Sequence, residues 1–269
     1  MPSGFLGRGM GPNAFGGGGR FAPNKIAGLA LWLKADAITG LADGDAITTW
    51  TDSSGNGRNA TQATAEAKPA YKASIIGGKP VARFDGGDYL ATASPVVTSA
   101  MWQGAASYTM FVVANPVSVA SEQVLVGAWN SADEWGLGRV CINTRTQSSF
   151  EISVRDNTNR AQDIYNLLNV ITDANGVYVV TRTPGTGTDK FNLRWNGITG
   201  TTTSHSSGVI TGVFSNTATT IAARAAGGVV LNHFTGDIAE IIIYDSALSD
   251  ANRQAVEAYL SAKYGIVLA

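Results

Sequence analysis

The chain has 269 residues, 44% hydrophobic but only 14% charged, with 19 basic against 20 acidic side chains and a single cysteine. A net charge of −1 argues against broad electrostatic capture of nucleic acid or an anionic membrane. One cysteine rules out an intrachain disulfide, and no segment approaches the ~18 uninterrupted apolar residues of a membrane-spanning helix.

Residues 1–25 hold eight glycines and three prolines, with Gly16 to Gly19 unbroken and neither helical nor alternating pattern. The stretch reads as an extended arm without a core of its own, and it lacks the apolar segment of a secretory signal. Such a segment gains order by binding, so a partner surface is expected to receive Phe5, Leu6, Met10, Phe15 and Phe21. Arg8 and Arg20 belong to a basic leader that also includes Lys25 and Lys34 and precedes the first acid, Asp36. Two competing readings stay open: a solvated tail, and an arm folded back on its own domain.

From Ile26 onward short β segments alternate with turn signals, and no internal linker or repeat divides 26–269. Leu29 to Leu33 and Ala46 to Trp50 read as strands, followed by a tight loop from Asp52 to Gly57. Pro80 to Phe84 leads into a second loop, Asp85 to Asp88. Tyr108 to Ala114 is apolar on both faces, as a central covered strand should be. Phe150, Ile152 and Val154 are expected inward, with Glu151, Ser153 and Arg155 outward. Phe191, Leu193 and Trp195 repeat the pattern against Asn192 and Arg194, and Asn196-Gly197 predicts a type I′ hairpin turn. Ile238 to Tyr244 is a further buried strand. One helix closes the chain, capped by Ser249, with Val256, Tyr259, Leu260 and Lys263/Tyr264 on one stripe and Gly265 at its C-terminal end. Cys141, in the apolar run Val140-Cys141-Ile142, reads as a small hydrophobe.

Three stretches resemble the concanavalin A-like lectin/glucanase superfamily, in particular the laminin G-like domains of bacterial surface and phage proteins. They are Gly28 to Asp36 with Trp50 to Ala60, Val81 to Leu90, and Phe234 to Ser249 with Tyr259 to Gly265. They occur in the family's order and bracket nearly the whole domain. The resemblance implies an all-β jelly-roll sandwich of two antiparallel sheets, one concave, with a short C-terminal helix. In lectin members the concave face or its rim binds sugar, often beside calcium.

Sugar platforms need exposed aromatics with polar neighbours, which selects Trp102, Trp129 and Trp135 with Asn130, Asp133 and Glu134; Trp32, Trp50 and Trp195 fall on strand patterns and read as core. Asp52, Ser54 and Asn56 offer oxygens at alternate positions, and Asp85 and Asp88 could add carboxylates, so calcium would be held by Asp52, Asn56, Asp85 and Asp88. The competing reading is Asx-turn chemistry that only shapes the loop; either no cofactor or Ca2+ is expected.

Glycoside hydrolysis needs two carboxylates at a set separation. No Glu-x-Asp-x-x-Glu pattern occurs, Glu151 stands alone on its strand, and the odd spacing of Asp237 and Glu240 predicts opposite faces. Glu240 is expected to share a face with Ile238 and Ile242 as a structural carboxylate. His205 lies in a Thr/Ser run that reads as a loop, and His233 precedes a strand with no deducible partner.

The sequence therefore predicts a non-enzymatic protein. The first expectation is a phage virion subunit (capsid decoration, fibre or tail-associated) in multiple copies, joined to other virion subunits by its arm and displaying a lectin-like domain to host glycans. The second is a bacterial surface or extracellular carbohydrate-binding module, with or without calcium.

Overall fold

The computed structural model describes residues 21–96, 106–117, 122–129, 137–143, 149–155, 162–167, 174–183, 191–199, 202–206, 218–226 and 229–269. Two antiparallel sheets and one α-helix make up three layers among these residues, as the strand patterning predicts.

The strands are β1 (Leu29–Lys34), β2 (Thr49–Trp50), β3 (Ala60–Thr61), β4 (Ala70–Ile76), β5 (Lys79–Asp85), β6 (Leu90–Thr92), β7 (Tyr108–Pro116), β8 (Gln123–Trp129), β9 (Leu137–Asn143) and β10 (Ser149–Arg155). They continue with β11 (Gln162–Leu167), β12 (Gly176–Arg182), β13 (Phe191–Trp195), β14 (Ile198–Thr199), β15 (Thr202–Ser206), β16 (Thr219–Ile221), β17 (Arg224–Ala226), β18 (Val229–Leu231) and β19 (Thr235–Tyr244). The helix α1 spans Asp250–Tyr264.

The eight-stranded sheet runs β14-β13-β12-β7-β19-β5-β4, and β1 also pairs with β19. The nine-stranded sheet runs β15-β11-β10-β9-β8-β16-β6-β3-β2, and β17 and β18 form a separate hairpin. Period-two alternation sends one set of side chains from each sheet into the space between them. Met110, Val112, Tyr178, Leu193, Ile241 and Ile243 meet Trp50, Leu90, Leu125, Phe150, Ile152 and Ile221 there.

The opposite set on the eight-stranded sheet is also apolar, because α1 covers it. Trp32, Val81, Phe111, Val113, Val179, Ile242 and Tyr244 pack under Val256, Leu260 and Tyr264. This double covering explains why β7 is buried on both faces along nearly its whole length and apolar from Met110 to Ala114. The helix ends are as expected: Ser249 accepts from the Asn252 amide, and Gly265 adopts a left-handed φ of 65°. Asn196 and Gly197, with φ of 47° and 83°, turn β13 into β14. Gly77 (φ 57°) carries the β4–β5 turn so close to α1 that a Cβ there would lie 2.3 Å from the Tyr264 carbonyl oxygen.

Three expectations need correction. The Thr/Ser run around His205 is a strand: β15 pairs with β11, with His205 opposite Ile164. Threonine's β-branched backbone preference outweighs the loop signal of the hydroxyls. The Ala46–Trp50 strand shrinks to Thr49–Trp50.

The third concerns β19, which carries a register shift between Ile238 and Glu240. The extra residue breaks the alternation, so Ile238 joins the inter-sheet core while Ala239 and Ile242 face α1. Glu240 therefore shares a face with Ile242 but not with Ile238. Asp237, paired with Arg83, falls on that same outer face rather than opposite Glu240.

Candidate functional site

The side chains singled out by sequence separate into three places. Trp102, Asn130, Asp133, Glu134 and Trp135, and Phe5, Leu6, Arg8, Met10, Phe15 and Arg20 of the arm, lie outside the described residues. Trp129 ends β8 in register with Leu137, and Cys141 sits in β9 opposite Glu151. Phe21 packs on the chain's own α1 face, its ring 6.2 Å from that of Tyr259.

The Asp52 loop is built by its own hydrogen bonds. Asp52 Oδ1 accepts from the amides of Trp32 (3.1 Å) and Ser54 (2.8 Å). Its Oδ2 accepts from Ser54 Oγ (2.8 Å) and the Arg58 amide (3.0 Å). Asn56 Nδ2 donates to the carbonyls of Leu29 and Ala30 at 2.8 and 3.1 Å. Donors thus meet both carboxylate oxygens, and the loop fastens to the start of β1.

The second loop is tighter. Asp88 is 4% exposed and accepts from the Asp85 amide at 3.0 Å, while the Gly87 amide donates to Asp85 Oδ1. Burial pushes the Asp88 carboxyl up to about 6 despite that amide, with the nearby Asp85 charge adding to the rise. His233 Nδ1 lies 3.2 Å from the Asp88 carbonyl oxygen. Among the described residues no three His, Cys, Asp or Glu side chains gather as a metal-holding group.

The bulge in β19 assembles a buried polar cluster beneath α1. Glu240, fully buried, accepts at Oε1 from Trp32 Nε1 (2.5 Å) and Tyr259 Oη (3.2 Å). Its Oε2 accepts from Lys263 Nζ (2.8 Å) and Tyr264 Oη (2.7 Å), and Lys263 also reaches Asp36 at 2.9 Å. Asp237 is held separately by Arg83, at 2.7 and 2.9 Å. Burial, followed by the Glu240 charge, raises the Tyr259 and Tyr264 hydroxyls far above the ordinary phenol value. The two carboxylates share a face, but each is satisfied by cations and donors of the fold. This region fastens a helix to a sheet.

The outer face of the nine-stranded sheet differs in kind. On β10, Phe150 and Ile152 enter the inter-sheet core, so Ser149, Glu151 and Ser153 belong to the opposite face. That face was expected to meet solvent. Instead Ser149, Glu151 and Ser153 are 6%, 5% and 0% exposed.

The register extends these positions across the sheet. Glu151 pairs with Cys141 on one side and Asn166 on the other. Ser153 pairs with Arg139 and Ile164, Arg139 with Gly127, and Gly127 with Thr220. Thr220 is buried and donates to the carbonyls of Gly127 and Ala223. Asn166 remains half-buried. The row continues through Ala91 to Thr61 and Thr49, both exposed. The result is a largely buried face that mixes hydroxyl, amide and carboxylate groups with the apolar Val124 and Ile164, backed by an inner face that is apolar apart from Thr92 and Thr219. Sequence alternation identified Glu151 and Ser153 as pointing outward, but not their shelter, which depends on what surrounds the sheet in space.

No family model matches the sequence, and no curated protein matches it. Among solved structures, the chain is similar to domain 4 of AbnA, a GH43 extracellular arabinanase from Geobacillus stearothermophilus, in complex with arabinotriose. The TM-score is 0.55 at 14% identity, covering 85% of this chain and 97% of that one. It is also similar to the ligand-binding domain of botulinum neurotoxin serotype D in complex with N-acetylneuraminic acid, with a TM-score of 0.55 at 13% identity, covering 86% of this chain and 51% of that one. The fold is thus a lectin-like β-sandwich of the kind found in carbohydrate-binding domains.

Proposed function

We propose that the chain is a non-catalytic glycan-binding domain and that the outer face of its nine-stranded sheet receives the oligosaccharide. The observation that carries this is the likeness of the sandwich to two solved domains that hold sugars, together with the accessible polar positions on that face, half-buried Asn166 and exposed Thr61 and Thr49. Sugars present paired hydroxyls that donate and accept at once, and half-buried Asn166, on that face, offers an amide that does both. The corresponding face of the eight-stranded sheet is covered by α1. The two similar solved domains carry sugars, arabinotriose and N-acetylneuraminic acid, which supports the same class of ligand. The fold and the comparisons are silent on a phage particle; glycan binding is proposed for the domain whatever carries it.

A glycan array probed with the full chain tests this, with Asn166→Ala and Asn166→Leu as variants. A neutral hydrogen bond contributes about 0.5–1.5 kcal/mol, so each variant should weaken binding roughly 2- to 12-fold. Both variants should melt near the parent. No retained glycan, or parent-like binding by both variants, refutes the proposal.

A further inference from the structure

Lys263, in the last turn of α1, holds its amine between two carboxylates that come from different parts of the chain. Nζ lies 2.9 Å from Asp36 Oδ1 and 2.8 Å from Glu240 Oε2. Asp36 sits in a single 3-10 turn, Ala35–Ala37, directly after β1, and β1 pairs with β19 so that Lys34 lies opposite Glu240. Three elements thus converge on one nitrogen. Water has little access to it: Glu240 is fully buried and the Lys263 side chain is 11% exposed. Trp32, Tyr259 and Tyr264 each donate to Glu240, and Nζ stands 5.6 and 5.1 Å from the two tyrosine ring centres.

An amine beside a carboxylate ordinarily stays an ion pair, because water solvates both ions and hydrolyses any amide between them. Two conditions work against that: fixed contact, which makes the encounter unimolecular, and a second carboxylate able to take the ammonium proton where water is scarce. Both hold here. We propose that Lys263 and Asp36 join in an intramolecular amide bond, with Glu240 as the proton relay. Lys263 gives one proton to Glu240 Oε2, and the resulting amine attacks Asp36 Cγ. The Cγ–Nζ bond forms and one Cγ–O bond breaks. The departing oxygen takes one proton from the nitrogen and one back from Glu240, and leaves as water. Glu240 ends as the carboxylate it began as, and nothing is oxidised or reduced. Asp36 is the acylated partner because its side chain is 31% exposed, which gives the released water a way out, whereas Glu240 is fixed by its four donors. The product ties the last helix to the turn after β1, across 227 positions of sequence. The Lys72–Asp43 pair, at 3.1 Å with side chains 26% and 57% exposed, has the contact without the shelter and stays an ion pair.

Tandem mass spectrometry of a tryptic digest of the full chain tests this. The expected product is a branched peptide joining residues 35–58 to 254–269, uncleaved at Lys263, lighter than its two parts by one water, with fragment ions placing the branch at Asp36. Residues 35–58 should not be joined to the peptide that carries Lys72. Lys263→Arg and Asp36→Ala should lack the branch, and Asp36→Asn should give the same branched peptide by releasing ammonia. Glu240→Gln keeps the shape but cannot take the proton, so the branched fraction in freshly purified protein should fall about tenfold or more. A parent digest in which Lys263 is cleaved normally and residues 35–58 are found only unbranched overturns the proposal, whether or not any variant folds. Parent-like branching in Glu240→Gln overturns it as well.

Discussion

Glu240 is the residue on which the docking of α1 depends most, and its removal should be costly in a way that its chemistry defines. Its carboxylate takes four hydrogen bonds, from Trp32, Tyr259, Lys263 and Tyr264, at a fully buried position. Glu240→Ala leaves the half-buried Lys263 ammonium with Asp36 alone and Trp32 Nε1 without its acceptor. Breaking a buried ion pair from one side costs about 3–5 kcal/mol. For a domain of this size that corresponds to a fall in Tm of roughly 6–20 °C, at about 2–4 °C per kcal/mol. Replacing both partners is a different perturbation: Glu240→Met with Lys263→Met removes both charges and keeps apolar volume, and such exchanges are often neutral. Urea unfolding followed by circular dichroism and tryptophan fluorescence should therefore give a double-mutant cycle whose coupling exceeds about 2 kcal/mol. Additive losses, or a Glu240→Ala cost below about 1 kcal/mol, would refute the reasoning and mark the cluster as energetically idle.

Two further predictions concern the loops. Burial raises the Asp88 carboxyl to about 6, so the folded state prefers the protonated acid. That preference stabilises the fold below the unfolded carboxyl's range near 4, and the benefit is lost as pH climbs through about 6. Asp88→Asn keeps an oxygen for the Asp85 amide and removes the charge. It should match the parent near pH 4 and exceed it at pH 8 by on the order of 1–2 kcal/mol, read by urea unfolding at both pH values; equal stability at pH 8 would refute this. Gly77→Ala meets both a left-handed φ and the Tyr264 carbonyl, so it should lower stability by more than about 1 kcal/mol. It should also speed hydrogen exchange in the last turn of α1; an unchanged exchange profile would count against the contact.

How much of this was legible beforehand divides along a physical line. Period-two alternation and turn chemistry are local, so β7, β10, β13, the Asn196-Gly197 turn and the capped helix could be read from neighbours in the chain. The bulge at Ala239 could not, because nothing in Ile238-Ala-Glu-Ile-Ile distinguishes a shifted register from a regular one. The shift is set by partners more than a hundred residues away, β7 on one side and β1 with β5 on the other. Its consequence is large, since it places Glu240 where Trp32, 208 positions earlier, can donate to it. β15 was missed for the complementary reason: hydroxyl-rich composition signals a loop locally, and pairing with β11 overrides it.

The same division bears on function. The loops at Asp52 and Asp85, read from sequence either as Asx turns or as calcium loops, were conspicuous because turn chemistry concentrates Asp, Asn and Gly, and those groups hydrogen-bond within the loops and to the start of β1. Glu151 and Asn166 were inconspicuous, each being a single polar residue on an alternating strand, and only strand order brings them side by side. Groups aligned by register on adjacent strands are held by the sheet's own hydrogen bonds, so their spacing survives ligand arrival and departure without reordering. That rigidity suits weak, repeated recognition of a flexible sugar chain, where each immobilised side chain would otherwise subtract from an already small binding energy.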